Sequence, residues 1–302
     1  MKGSRKLRVA SSGRVPVGPD LSVPVGPVLS IYDPVYLGID EFGAAVSAPM
    51  MYRNIAIGGE PGAGKSSLLN NVVSHAALSS DCRLVLLDGK QVEMGLWRDV
   101  AEVFCGPDVN LAIDTLTRLQ TMMDKRYEYL LSEGLRNVSR ADGFHAYLIA
   151  IDELAYFSVT AGDKKTQETF ASKLRDLVAR GRAVGIIVAA ATQRPSSDII
   201  PTSLRDLFAW RFCGRTSNDV SSDIVLGHGW AGRGFSANVI DPDQRGVGFL
   251  ISEGGSPRRV KAAYLTDADI RAVAEYAKWI RREPVTAPWS AVAGSVPVAV
   301  AA

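Results

Sequence analysis

Gly59-Glu60-Pro61-Gly62-Ala63-Gly64-Lys65-Ser66 decides how this chain is read. The spacing is that of a phosphate-binding loop, a glycine, four residues, then Gly-Lys-Ser, and each position has a mechanical reason. Gly59 and Gly64 let the backbone turn tightly, so that successive amides point inward at a phosphate. Lys65 brings a point charge to the outer phosphates, and the Ser66 hydroxyl can bind Mg2+. The flanks agree. Arg53–Gly58 reads as a short buried strand, and Ser67-Leu68-Leu69-Asn70-Asn71-Val72-Val73 opens a helix whose N-terminus faces the anion. The expected nucleotide-binding set is therefore Gly59, Glu60, Pro61, Gly62, Ala63, Gly64, Lys65, Ser66 and Ser67, with ATP and Mg2+ as ligands.

Around this loop, 302 residues at 47% hydrophobic content are enough for one large α/β domain with a substantial core. The net charge of +2 is too small to identify a polyanionic partner. Cys82, Cys105 and Cys213 occur singly, without a CxxC pair or nearby histidines, and read as small core hydrophobes. His75, His145 and His228 are equally scattered. No signal peptide and no apolar run long enough to cross a bilayer is found in the sequence, so the expectation is a soluble, cytoplasmic chain.

Residues 1–30 carry Lys2, Arg5, Lys6, Arg8 and Arg14 and then four prolines, which reads as an extended basic arm. Such an arm serves equally as a nucleic-acid contact or as a solvated tail. Gly38–Ser47 reads as a hairpin leading into the nucleotide strand. Arg83–Asp88 is a second strand with its turn at Gly89-Lys90, placing Asp88 and Lys90 on the nucleotide edge, since ligands gather at the carboxyl ends of parallel strands. Ala101–Phe104 is a short strand. Leu111–Glu133 carries Leu116, Leu119, Met123, Tyr127 and Leu130 at helical spacing and closes at Gly134.

The second chemical signal is Tyr147-Leu-Ile-Ala-Ile-Asp152-Glu153, a buried strand from whose end two carboxylates emerge. Asp152 suits the metal opposite Ser66, and Glu153 suits orienting and polarising an attacking water. A polar loop follows over Ser158–Gln167. A helix with Phe170, Leu174, Leu177 and Val178 inward comes next, and then a buried strand Gly185–Gln193. Gln193 ends that strand on the same edge as Lys65 and Asp152, where its amide can sense the terminal phosphate. Arg182 precedes the strand and so lies on the opposite edge. An arginine there suits a neighbour's nucleotide, as a finger across a subunit interface.

Taken together, Gly59–Ser66, Ile151-Asp-Glu-Leu-Ala155, Arg182-Ala-Val-Gly-Ile186 and Ala191-Thr-Gln-Arg-Pro195 resemble the motor domain of FtsK/SpoIIIE DNA translocases. Met123–Leu131 with Gly134-Leu-Arg-Asn137 is similar to the family's helix between its two nucleotide strands. The resemblance runs from about Gly38 to Tyr264. It implies a RecA-like P-loop NTPase fold with a mostly parallel central sheet and helices on both faces. It further implies ATP hydrolysis coupled to movement of double-stranded DNA, and a homo-oligomeric ring, a hexamer. By the same resemblance Lys65 and Ser66 bind nucleotide, Asp152 and Glu153 serve metal and water, Gln193 senses phosphate and Arg182 matches the finger. Arg215 falls on a further family arginine whose role stays open.

FtsK-type proteins usually carry membrane helices before the motor and a winged-helix DNA reader after it. The expected division here is an arm over 1–30, the motor over 31–282, and a Pro/Ala-rich tail over 283–302. That architecture looks like the transfer proteins of actinomycete conjugative plasmids and integrated elements, which implies membrane-associated transfer proteins as partners. Two readings stay open. One is a DNA pump, in conjugation or in chromosome partitioning and cell division; the other is a motor for protein substrates, as in type VII secretion. Lys164, Lys165 and Arg233 could line a DNA channel, with Gly227–Gly234 as a mobile pore loop, or be solvated charges.

Overall fold

The computed structural model describes residues 28–281, so the expectations for the arm and the tail fall largely on residues 1–27 and 282–302, outside the described part. In chain order, β1 (Val35–Asp40) and β2 (Ala45–Ala48) form the expected hairpin. Strand β3 (Ile55–Gly58) enters the phosphate loop, from which α1 (Lys65–Leu78) leaves. Then come β4 (Cys82–Leu87), β5 (Val103–Cys105), α2 (Val109–Ser132), β6 (Ala146–Ile151), α3 (Lys164–Arg180) and β7 (Ile186–Thr192). The chain continues through the single turn α4 (Thr202–Arg205), β8 (Trp210–Gly214), α5 (Asp219–Leu226), β9 (Val247–Ser252), β10 (Arg258–Ala262) and α6 (Asp267–Arg281).

All ten strands join one sheet in the order β2-β1-β10-β9-β8-β3-β7-β6-β4-β5. From β8 to β5 every neighbouring pair is parallel, and from β8 outward to β2 every pair is antiparallel. Burial explains the split. Each residue of β3, β6 and β7 is buried, as a parallel strand covered on both faces requires, whereas β2 alternates exposed and buried residues. The hairpin therefore precedes β3 in sequence but lies at the far edge, with β8, β9 and β10 in between.

Two boundaries move for local reasons. Asp108 caps α2 by accepting the amides of Asn110 and Leu111, so the helix begins before Leu111. The stretch expected to be a polar loop over Ser158–Gln167 is largely helical instead. A π-helical turn spans Tyr156–Thr160, and Asp163 accepts the amide of Thr166 to start α3 at Lys164. All three cysteines are buried and free. Among the described residues, no helix is long and apolar enough to cross a membrane.

The parallel half fixes the site. Because β3, β4, β6, β7 and β8 run the same way, Gly58, Leu87, Ile151, Thr192 and Gly214 all end on one edge of the sheet. Strand β7 lies between β3 and β6, so whatever follows Thr192 sits between the phosphate loop and the acid pair.

Candidate active site

The loop from Gly59 to Ser66 needs its glycines for two distinct reasons. Gly64 has φ +89, and a Cβ on it would lie 2.3 Å from the Cα of Gly246. Both the left-handed backbone and the packing exclude a side chain there. At Gly59, with φ +147, a Cβ would lie 3.1 Å from the Gly214 carbonyl at the end of β8. The loop is thus pressed against the strand beside it. Glu60 strengthens the contact: its amide donates to the Arg215 carbonyl at 2.8 Å, and its carboxylate pairs with the Arg215 guanidinium at 2.7 Å. The arginine left open by sequence is therefore a brace on the phosphate loop within the same chain.

Lys65 and Ser66 open α1, whose first-turn amides point at the loop's interior. The Lys65 ammonium is buried and donates to the Glu60 carbonyl at 2.7 Å. Burial pulls it down to about 8, against the opposing pull of Glu153 and Asp152. Opposite it, Asp152 is 4% exposed and its Oδ2 has no hydrogen-bond partner. Burial, then the negative charges of Glu93 and Asp88, push this carboxyl up to about 7. A buried carboxylate oxygen left without a donor is costly, and it is the arrangement a cation would relieve. The unpaired Asp152 oxygen is thus a feature that fits a divalent ion.

Glu153 is held from the side. Its Oε1 accepts from the Thr192 hydroxyl at 2.6 Å and the Ala155 amide at 3.1 Å, and its Oε2 accepts from the Gln193 amide at 2.9 Å. Oε1 is saturated, while Oε2 keeps a lone pair for a water proton. Thr192 thus has a task that sequence reading missed, although it stands inside the Ala-Thr-Gln-Arg-Pro motif. Gln193 is half-buried and sits where expected, between the loop and the acid pair.

Arg182 lies at the other edge, in the turn before β7, donating to the Tyr52 carbonyl at 2.8 Å and pairing with Glu253 at 3.3 Å. It is not brought to Lys65. Asp88 and Lys90 do follow β4 at the nucleotide edge, but the Asp88 carboxylate is spent on the amides of Lys90, Gln91 and Met94. The Gly227–Gly234 segment is tied down. Asp223 accepts the amides of Gly229 and Ala231 at 2.7 and 2.8 Å, and Arg233 stacks over Trp230. Gly227 lies beside the Arg211 side chain, near the start of β8.

Known proteins resemble this chain in sequence and in fold. The FtsK/SpoIIIE family model matches residues 19–150. "DNA translocase FtsK" of Tropheryma whipplei is 28% identical over 266 residues, covering 81% of this chain and 34% of that protein. The Bacillus cereus protein of that name is 26% identical over 269 residues, covering 80% of this chain and 31% of its own length. The chain thus spans about a third of the curated relatives it matches. Among solved structures, the pCW3 conjugation coupling protein TcpA with ATPgS superposes at TM-score 0.70, with 22% identity over 86% of this chain and 76% of that one. The cytoplasmic domain of the Thermomonospora curvata type VII secretion ATPase EccC superposes at 0.63, with 21% identity over 84% of this chain and 32% of that one. Fold and site define a P-loop ATP hydrolase domain. The resemblance to the FtsK/SpoIIIE family is borne out, by the family model over residues 19–150 and by the sequence relatives.

Proposed function

We propose that this chain is the motor of an ATP-driven double-stranded DNA translocase that serves the transfer of a conjugative plasmid or integrated element. The observation that carries it is the assembled edge. There Lys65, the orphaned Asp152 oxygen and the anchored Glu153 converge, in a chain whose sequence relatives are DNA translocases. In this reading the motor spans 31–282 between a basic arm and a tail, works in the cytoplasm, and meets the membrane through partners.

The chemistry follows from the residues. The loop amides and Lys65 grip the phosphates, and Ser66 with Asp152 would hold Mg2+, which supplies charge neutralisation at the outer phosphates. Glu153, fixed by Thr192 and the Gln193 amide, takes a proton from the attacking water at Oε2. The Gln193 side chain reads the terminal phosphate. The Arg182 side chain is 35% exposed and stands at an edge its own nucleotide does not share. It acts on a neighbour's nucleotide, which requires a homo-oligomer, and the family resemblance supports a ring, a hexamer. Arg182→Ala should bind ATP, assemble and hydrolyse poorly, and mixing it with Lys65→Ala subunits should restore some hydrolysis. Mixed rings that stay as inactive as their parents would remove the finger assignment.

The test of the function is the ATPase rate with and without duplex DNA across a salt series. Lys and Arg contacts to phosphates release counterions, so stimulation should fall steeply with salt and show little sequence preference. The likeness in fold to type VII secretion ATPases supports a second reading, a motor for protein substrates. Stimulation by a secretion-type protein substrate with no response to DNA would select it.

A further inference from the structure

The second position of the phosphate loop is an acid, the wrong charge for the cradle of a polyanion. Glu60 stands between Gly59 and Pro61, in a loop whose amides and Lys65 serve to draw phosphates in. A bare carboxylate there would oppose every nucleotide the loop takes, because like charges brought close in a half-buried site repel. The fold does not leave it bare. The Glu60 carboxylate pairs with the Arg215 guanidinium at 2.7 Å, and the two side chains are only 26% and 28% exposed.

Strand order builds this pair. Arg215 follows directly on Gly214, the last residue of β8, and β8 lies beside β3 in parallel, with Gly58 opposite Cys213. The segments leaving the two strands therefore run side by side at the nucleotide edge. The Glu60 amide donates to the Arg215 carbonyl at 2.8 Å. A Cβ on Gly214 would lie 2.7 Å from the Ala63 carbonyl oxygen, so backbone meets backbone and neither segment has room to drift. The Glu60 carbonyl in turn accepts the Ala63 amide at 3.1 Å and the Lys65 ammonium at 2.7 Å. Glu60 is fixed through its amide, its carbonyl and its side chain, and the carboxylate is held on Arg215.

We propose that Arg215 is a positioning residue for ATP binding, which masks the charge of Glu60 so that the loop meets phosphates as a net cationic cradle. The inference rests on the nucleotide reading of the loop but not on DNA as the substrate. The ion pair adds no net charge, and Lys65 is the cation left to act on the phosphates. Arg215 works through Glu60 and not on the reacting atoms. Its effect therefore belongs to the binding of ATP and ADP alike, and not to the step that breaks the phosphate bond.

Charge arithmetic supplies the test. Affinities for ATP and ADP are measured by displacement of a fluorescent nucleotide from the whole chain, at low and high salt, with kcat at saturating ATP alongside. The proteins are the wild type, Arg215→Gln, Glu60→Gln, the variant carrying both changes, and Lys65→Ala. Arg215→Gln leaves a bare acid in the loop and should weaken ATP and ADP about tenfold each, the loss appearing in KM and not in kcat. Glu60→Gln leaves a bare cation and should tighten both about threefold. The double variant carries neither charge and should return close to wild-type affinity. The spread should narrow as salt rises, since these charges are partly exposed. Weaker binding in all three variants would make the pair a mechanical brace and overturn the mask. A double variant as weak as Arg215→Gln would overturn it too, because the guanidinium would then grip phosphate itself. Glu60→Gln tests the sign without touching Arg215, so its tightening or weakening decides the matter even where an Arg215 variant folds poorly. A failure of duplex DNA to stimulate hydrolysis would count against the translocase reading alone, and retention of ATP by Lys65→Ala would count against the phosphate loop.

Discussion

Lys65 and Arg126 are buried cations at the two ends of one sheet, 6% and 5% exposed, and the fold treats them in opposite ways. Arg126 donates to the Val184 carbonyl at 2.6 Å and the His145 carbonyl at 2.8 Å, and its guanidinium lies over the rings of Phe144 and Tyr147. Its partners are backbone carbonyls, aromatic faces and nothing that could leave. Lys65 has one backbone carbonyl, and the acids around it are themselves incompletely paired, down to an Asp152 oxygen with no donor. Burial lowers both cations, Arg126 to about 10 and Lys65 to about 8. The difference is instructive. A buried charge saturated by its own chain closes a structure, whereas one left short of partners keeps a place for a ligand.

The widest gap between the two should appear on truncation. Lys65→Ala should cost at least about a hundredfold in hydrolysis, and nucleotide binding with it, because a charge aimed at the phosphates is lost. Its melting temperature should hold or rise, since a poorly compensated buried charge has gone. Glu153→Gln should match that loss in hydrolysis, about a hundredfold, while still binding ATP. Nucleotide titration and thermal melts on the same samples separate grip, chemistry and fold. A Lys65→Ala protein that melts far below the wild type would erase the contrast between the two cations.

Next comes the other cation. Arg126→Ala strands two buried carbonyls and empties the space between two rings, so about 3 kcal/mol of stability should be lost in denaturant unfolding. The fraction that remains folded should bind ATP with unchanged affinity. Reduced affinity at unchanged stability would place Arg126 in the site's machinery.

A subtler effect concerns pH. The folded carboxyl of Asp152 titrates near 7, above its unfolded value, so the fold favours the neutral acid. Its contribution to stability is fully present below the unfolded value near 4 and is lost as pH rises through about 7. Asp152→Asn, neutral throughout, should therefore stabilise the nucleotide-free protein at about pH 8, on the order of 2 kcal/mol. The gain should shrink as pH falls from about 7 toward 4, while hydrolysis is abolished. Equal stability of the two proteins at every pH would show that the site does not strain this acid. Smallest of all, Thr192→Val removes one of three donors to Glu153. A roughly fivefold drop in kcat with unchanged nucleotide affinity is expected for one hydrogen bond, read from single-turnover hydrolysis.

Much of the site was legible in the sequence alone. The Gly59–Ser66 spacing, the apolar strand ending in Asp152-Glu153 and the strand ending in Gln193 are local patterns. Parallel connection then forces every such strand end onto one edge, which also put Arg182 on the other. Where local pattern failed, a local competitor was at work: Asp163 capped a helix inside an expected loop, and Asp223 bound a glycine-rich segment expected to move.

What only the tertiary structure decided are the contacts whose partners are far apart in sequence. Arg215 bracing Glu60 and Thr192 steering Glu153 both depend on strand order. Periodicity and motif spacing report burial and backbone direction along a few turns or one strand. Which strand lies next to which is set by how the whole chain buries its apolar faces, and no single stretch carries that information. The sequence by itself determined the chemistry and the edge on which it gathers, and packing decided which side chains hold that chemistry in place.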